Sequence, residues 1–289
     1  MPELPEVETV VRLIRPRLEG RALGAADVRW QRTLGGTGAR RFSHAVRGAR
    51  IRRVWRRGKF IVMDLARAGR PAGWLVGHLR MTGRIQVESR SVDPGPYQRL
   101  SLGLDDGRTL HFVDPRKFGR IWYTQDLDDL LGGLGPEPLG DEFTPAWLHA
   151  ALRARRRLLK PLLLDQTFVA GLGNIYSDEA LHASRLHPLR RSDRVSAEEA
   201  ARLHASIRST LREAILREGS SFDGFYRTPE GQPGSYQDEF RVYGRAGEPC
   251  PACGEPIQRI VVAQHGTHLC RRCQGRPSPR RSAATLSAR

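Results

Sequence analysis

The chain has 289 residues, room for two domains or for two with a small third module. Lys+Arg number 48 against 31 Asp+Glu, a formal net charge of +17 spread along the whole sequence; this predicts a polyanionic partner, nucleic acid first, with a merely solvated basic surface as the alternative. No apolar run reaches a bilayer span and the N-terminus lacks a signal-peptide hydrophobic region, so a soluble intracellular protein with no membrane partner is expected. Nearly all the positive charge is arginine, the better phosphate fork; the lysines are Lys59, Lys117 and Lys160, which leaves few side-chain amines to act as nucleophiles.

The chain opens Met1-Pro-Glu-Leu-Pro-Glu-Val-Glu8. Met1 precedes a small residue, so processing is expected to leave Pro2 as a terminal secondary amine, with Glu3 beside it and Glu6 one helical turn on. An α-amino group titrates near ~7.7–8, so part of it is neutral at pH 7. Such an amine can form a Schiff base with an aldehyde-level carbon. The bland alternative is that Pro2 and Pro5 start a helix whose dipole the acids complement. From Val7 the apolar residues Val7, Val10, Val11, Ile14 and Leu18 share one helical stripe, which Gly20 ends.

From about Val28 to Tyr123 the pattern is that of strands. Lys59–Leu65 and Gly73–Leu79 are apolar runs, Leu100, Leu102 and Leu104 alternate, and Asp106-Gly107 turns the chain into Thr109–Val113. This half reads as an antiparallel β-sandwich or barrel with an N-terminal helix. A Gly/Pro-rich linker, Gly132 to Gly140, leads to a helical pattern. There Thr144-Pro145 is a cap and first-turn proline, and Ser196-Ala-Glu-Glu199 is a capping box. It opens a helix with Leu203, Ile207, Leu211 and Ile215 on one face and Gly219 as its stop. Residues 219–236 read as a long mobile loop, and the Pro/Ser/Arg-rich tail after Gln274 as disordered.

Cys250-Pro-Ala-Cys253 and Cys270-Arg-Arg-Cys273, sixteen residues apart, have the spacing of a four-cysteine zinc site. Four ligands close the coordination sphere, so one structural Zn2+ is expected; a redox Cys-x-x-Cys is the weaker alternative. Arg259, Arg271 and Arg272 make the module a plausible phosphate-facing finger. Gly171-Leu-Gly173 permits a tight turn before Asn174, where a helix N-terminus would present amides to a phosphate, unless the segment is a plain αα-hairpin. Asp114-Pro-Arg-Lys-Phe-Gly119 places Arg116, Lys117 and Phe118 on one tight loop, where Phe118 could wedge into a base stack and Arg116 read an orphaned base, or which could be an ordinary basic turn. Met81, in His78-Leu-Arg-Met-Thr-Gly83, reads from composition as core filling.

Taken together, Pro2–Glu8, Asp114–Gly119, Leu164-Asp-Gln with Gly-Leu-Gly-Asn-Ile-Tyr-Ser-Asp-Glu179, and the finger ending in Cys-Gln274 resemble the formamidopyrimidine-DNA glycosylase family of bacterial base-excision enzymes, over residues 2 to about 274. The resemblance implies an α+β multidomain fold. Its parts are an N-terminal β-sandwich with flanking helices (1–133), a helix–two-turn–helix domain (134–236, with a lesion loop 219–236) and a four-cysteine zinc finger (237–274), followed by the tail 275–289. It implies a bifunctional glycosylase and abasic-site lyase for oxidised purines. The expected partner is duplex DNA carrying an oxidised purine or abasic site, held between two lobes by a cytoplasmic, DNA-associated monomer with no redox cofactor.

The family's roles carry over as follows. Pro2 takes the nucleophile's place, Glu3 the general acid's with Glu6 in support, and Lys59 that of a lysine on the lesion's phosphate. Met81, Arg116 and Phe118 match the trio that fills the hole left by an everted nucleotide, overriding the core reading of Met81; Lys117 lies among them. Asn174 and Tyr176 stand in the phosphate-binding turn. One departure is clear: His265 stands in His-Gly-Thr-His268 where the family usually has arginine. Imidazole is shorter, has no bidentate fork and is mostly neutral at pH 7, so weaker lesion binding or slower turnover is expected, partly rescued at lower pH. The rival readings are an endonuclease-VIII-like glycosylase for oxidised pyrimidines, which the Leu4 and Val7 of the opening motif disfavour, and a non-catalytic zinc-containing protein that binds damaged DNA.

Overall fold

The computed structural model describes residues 1–222 and 224–275; apart from Gly275, the tail expected to be disordered lies outside the described residues. Helix α1 runs Leu4–Leu18, starting three residues before the apolar stripe because Pro5 in the first turn supplies a helical φ at no hydrogen-bond cost. Its stripe is core: Val7, Val11, Ile14 and Leu18 are fully buried. There follow β1 (Leu23–Val28), α2 (Ala39–Val46), β2 (Arg50–Arg57), β3 (Phe60–Arg67), β4 (Arg70–His78), β5 (Arg84–Ser89), β6 (Gln98–Leu104), β7 (Arg108–Val113) and β8 (Arg120–Thr124). The region read as strands thus begins at Leu23 and contains a helix. That helix has little apolar periodicity, because its arginines obscure a face on which only Phe42 and Val46 are buried.

The strands form two separate four-stranded antiparallel sheets, ordered β1-β6-β7-β5 and β2-β3-β4-β8, which makes this a sandwich and not a closed barrel. One core draws on both sheets and both helices, with Ile51, Ile61 and Leu75 from one sheet and Leu100, Leu102 and Phe112 from the other. The Asp106-Gly107 turn joins β6 to β7 in the register Leu102↔Leu110.

The remaining elements are α3 (Asp128–Leu131), α4 (Pro145–Arg155), α5 (Leu159–Leu164), α6 (Asn174–Ala183), α7 (Ala197–Leu216), β9 (Gln258–Val262), β10 (His265–Leu269) and α8 (Arg271–Gln274). The expected caps are present: Thr144 Oγ1 accepts from the Trp147 N–H at 3.1 Å, and Ser196 and Glu199 cap each other's backbone N–H groups. The chain divides into two compact units. One joins residues 1–139, 166–173 and 211–239; the other comprises 140–165, 174–210 and 240 onward. Among the described residues no helix is long and apolar enough to cross a membrane.

In the second unit α6 is pinned by buried charge. Lys160, fully buried on α5, donates to Asp178 Oδ1 at 2.6 Å and to the Asn174 carbonyl at 2.8 Å. The neighbouring Glu179 carboxylate accepts the backbone N–H groups of Arg241, Val242 and Tyr243. Burial still pushes its pKa up, against the pull of those donors. Removing one member of a buried ion pair strands the other, which costs about 3–5 kcal/mol. Lys160→Ala should lower unfolding free energy by that amount in denaturant titration, and the double change Lys160→Met with Asp178→Leu should lower it less.

Candidate catalytic N-terminus and phosphate-facing groups

The N-terminal residues are buried despite their polarity. Pro2 is buried, and Glu3 and Glu6 are each only 2% exposed. Glu6 spends both carboxylate oxygens on backbone donors, Oε2 accepting from Glu3 N–H at 2.8 Å and Oε1 from Ser220 N–H at 2.7 Å. Glu6 therefore holds the start of α1 and the base of the 219–236 loop in one place.

Three glycines make room for this packing. A Cβ on Gly173 would lie 2.3 Å from Glu3 Cδ, one on Gly171 would lie 2.6 Å from Leu4 Cδ1, and one on Gly219 would lie 2.6 Å from Glu6 Oε1. Gly171 and Gly219 also take positive φ values, +90° and +79°, a region that favours glycine. The Gly171 carbonyl accepts from Leu4 N–H at 3.1 Å, and Gln166 braces the turn through Gly171 N–H and the Leu172 carbonyl. The glycines read in sequence as turn formers thus serve equally as a seat for Glu3 and Leu4.

Lys59 stands in the turn between β2 and β3 and is 5% exposed. Burial lowers its pKa, and the Glu3 and Glu6 carboxylates oppose that shift. His78, at the end of β4, is held down to about 3 by burial and by the charges of Arg80 and Lys59, so it is a neutral ring at pH 7. Its Nδ1 accepts from Arg80 N–H at 3.0 Å, and its ring meets Phe60 edge-on at 4.7 Å. In the sequence His78 has no signal beyond its place three residues before Met81; only the fold brings its ring within reach of the Lys59 charge.

Met81 and Phe118 are 38% and 47% exposed, both unusual for apolar side chains, and Arg116 is exposed with its guanidinium 4.9 Å from the Phe118 ring centroid. Met81 is therefore not core filling. Lys117 takes a left-handed φ of +62° and lays its ammonium over the Trp30 ring at 4.2 Å. The 219–236 loop is tied at its ends by the Ser220–Ser235 bridge. Its Tyr226 joins the sandwich core, and Arg84 of β5 donates twice to the Phe225 carbonyl. Phe222 and Phe225 remain exposed.

In the second unit Asn174 begins α6, and its Nδ2 donates to the Tyr243 hydroxyl at 3.3 Å and the Gly266 carbonyl at 3.0 Å. Its Oδ1 is buried with no hydrogen-bond partner among the described residues. Tyr176 is fully buried, so only its first-turn backbone could face a ligand. His265 is exposed at the start of β10, while the Arg259 guanidinium packs against Gly266, where a Cβ would meet it at 3.0 Å. Arg259, expected on the phosphate-facing finger, therefore lies beside the group around Asn174, and Tyr243 joins it; Tyr243 carries no motif, and only the fold brings it there.

The four cysteines converge, with every pair of Sγ atoms within 4.8 Å. Tetrahedral zinc with bonds of ~2.3 Å separates its sulfurs by roughly 3.8 Å, so the set fits the ion. The backbone N–H of Glu255 is the first cause that draws Cys253 down to about 7, whereas burial pushes Cys270 and Cys273 up. A cation resolves this crowding by making all four thiolates favourable. Cys250, Cys253, Cys270 and Cys273 form a site for one structural zinc ion.

Comparison with known proteins agrees with this arrangement. Residues 1–121 match the formamidopyrimidine-DNA glycosylase N-terminal domain, 134–225 its H2TH domain, and 247–275 the zinc finger found in FPG and IleRS. Formamidopyrimidine-DNA glycosylase of Chloroflexus aggregans is 45% identical over 279 residues, covering 95% of this chain and 98% of that protein. The crystal structure of the MutM (Fpg) protein of Thermus thermophilus superposes with a TM-score of 0.85 at 43% identity, over 96% of this chain and 100% of that one. The wild-type Lactococcus lactis Fpg in complex with DNA containing N7-benzyl-Fapy-dG does so with 0.86 at 34% identity, over 95% and 100%. With three successive family domains and full-length relatives of this identity, the chain belongs to the formamidopyrimidine-DNA glycosylase family.

Proposed function

We propose that the protein is a bifunctional DNA glycosylase and abasic-site lyase that excises oxidised purines (8-oxoguanine and formamidopyrimidines) from duplex DNA in base excision repair, working as a cytoplasmic, DNA-associated monomer. The observation that carries this reading is the burial of Pro2 next to Glu3 and close in sequence to Glu6, two buried acids packed where side chains of residues 173 and 219 would stand, with the buried Lys59 feeling the charge of both. Removal of Met1 frees the Pro2 amine. It attacks C1′ of the damaged nucleotide and loses its proton, and the base departs with its bonding electron pair, taking up a proton. The C1′–O4′ bond then breaks, O4′ taking a proton from Glu3, and the amine lone pair makes the C1′=N bond of an open-chain iminium. The resulting iminium acidifies C2′, and successive loss of the 3′ and 5′ phosphates leaves a one-nucleotide gap.

Glu3, next to the Pro2 amine in the chain, is the group for proton transfer at the sugar, and Glu6, which accepts two backbone donors, fixes the geometry. Lys59 attends the phosphate of the lesion. Met81, Arg116 and Phe118 fill the space the nucleotide vacates, with Lys117 at their side, and Arg116 favours cytosine opposite because a guanidinium suits that base's acceptors. Asn174, the backbone at Tyr176, and His265 hold phosphate in the second unit. Zinc bound by the four cysteines cross-links the finger and takes no part in the chemistry. The functional domains keep bounds near 133, 236 and 274. Solved relatives in complex with Fapy-dG DNA and with abasic-site DNA support duplex DNA bearing such lesions as the partner.

Borohydride reduction in the presence of an 8-oxoguanine:cytosine duplex should trap a covalent adduct on the N-terminal peptide, and Pro2→Gly should lose it; a thymine-glycol duplex should trap far less. Equal trapping on both duplexes would favour the oxidised-pyrimidine reading, and none on either a non-catalytic binder. Gly173→Ala should lower excision about a hundredfold, because the new Cβ displaces Glu3 and an error of ~1 Å in a reacting group has that cost; zinc content should stay unchanged. His265→Arg should tighten lesion-DNA binding about tenfold, the value of a charge-assisted phosphate contact, and steepen its salt dependence by about one phosphate contact. Unchanged binding and salt slope would remove His265 from the phosphate site.

A further inference from the structure

We infer that Asp114 and Thr82 are positioning residues: the buried pair clamps the two exposed turns that carry Met81 and Arg116–Phe118 into one preformed wedge. This rests on the proposed function only in taking those side chains as the group that enters the base stack.

The placement begins with sheet topology. The turn between β4 and β5 carries Met81, and the turn between β7 and β8 carries Arg116 and Phe118. Strands β4 and β8 pair in one sheet through His78↔Arg120, and β5 and β7 pair in the other through Arg84↔Val113. Both turns therefore cross between the sheets side by side at the same end of the sandwich. Nothing in the ladders themselves fixes one crossing turn against the other.

Asp114 supplies that link. Its side chain is fully buried, and Oδ1 accepts the hydroxyl of Thr82, itself 3% exposed, from the adjacent turn. The same Oδ1 accepts Arg116 N–H at 3.2 Å, and Oδ2 accepts Gly119 N–H at 2.7 Å. The Asp114 backbone is held in turn, its carbonyl accepting Arg99 Nε at 2.7 Å and its N–H donating to the Tyr97 carbonyl at 2.9 Å. One carboxylate thus grips both ends of the Arg116–Phe118 turn and the residue that follows Met81.

The turns need such a clamp. Arg80 and Lys117 adopt left-handed φ values of +55° and +62°, conformations that non-glycine residues keep only when their surroundings impose them. Each turn also closes on a glycine with no room for a side chain: a Cβ on Gly83 would lie 2.5 Å from the Leu79 carbonyl oxygen, and one on Gly119 would lie 2.4 Å from Phe112 Cζ. Met81 and Phe118 themselves stand in solvent and contribute little to holding their own backbone. A rigid wedge enters a base stack without first losing loop entropy, and the direct Arg116 N–H contact sets where its guanidinium arrives.

The test compares the zinc-loaded full-length protein with Thr82→Val, Thr82→Ser and Asp114→Asn. The readouts are single-turnover excision from 8-oxoguanine:cytosine and 8-oxoguanine:adenine duplexes and the fluorescence rise of 2-aminopurine stacked next to an abasic-site analogue. Thr82→Val should slow both excision and unstacking about tenfold, the scale of one hydrogen bond lost from a carboxylate, and should shrink the preference for cytosine opposite the lesion. Thr82→Ser keeps the hydroxyl and should restore all three, whereas Asp114→Asn should resemble or exceed Thr82→Val. An unchanged cytosine preference in Thr82→Val, or a Thr82→Ser protein as impaired as Thr82→Val, would overturn the clamp. Because unstacking requires no bond cleavage, a parent protein that unstacks DNA but excises nothing would defeat the proposed activity while still deciding the clamp.

Discussion

The N-terminal end of the first unit depends on atoms that are absent. Glu3 and Leu4 lie where side chains of residues 173 and 171 would otherwise be, so the N-terminus is seated by backbone contact instead of by a pocket of side chains. Backbone is the stiffest surface a protein offers, and here it fixes the first residues of a chain, normally its most mobile part. Glu6 completes the arrangement by coupling the start of α1 to Ser220, so the geometry of the amine and that of the 219–236 loop share one carboxylate. Burying Glu3, Glu6 and Lys59 together makes each tolerable: the lysine's desolvation is offset in part by the two acids.

The second unit solves a different problem with the same means. Its finger is small, and its core amounts to little beyond Val242, Ile257 and the cysteines. Adjacent acids on α6 anchor it. Asp178 Oδ2 accepts the His268 N–H of β10, and Glu179 takes three N–H groups from residues 241–243. The helix whose first residue is Asn174 is thereby fixed to the finger on which His265 and Arg259 stand. Zinc closes the finger, and α6 orients it.

Much of this was legible in the sequence. Period-two alternation at Leu100–Leu104, the helical stripe of α1, the Ser196–Glu199 box and the paired cysteines each act through local physics, and each appears where the pattern put it. Other features depended on tertiary contact. The choice of sandwich over barrel is decided by which edges stay unpaired, which no local window contains. Met81 followed the family pattern against its composition, since exposure is a property of the fold and not of methionine. Tyr243 and the contact between Thr82 and Asp114 have no signature in the sequence, being brought about by strands and helices far apart in the chain.

The distribution of basic groups has a chemical corollary. Lys59 and Lys160 are buried and Lys117 is stacked on Trp30, so the cations that face solvent are nearly all guanidinium groups. A guanidinium stays protonated at any physiological pH and, unlike a lysine amine, does not form a Schiff base with a simple aldehyde. A surface built in this way can grip DNA whose opened deoxyribose bears an aldehyde without becoming permanently joined to it. Arginine in place of lysine thus gives the protein chemical inertness toward the open sugar of an abasic site, quite apart from any gain in phosphate affinity.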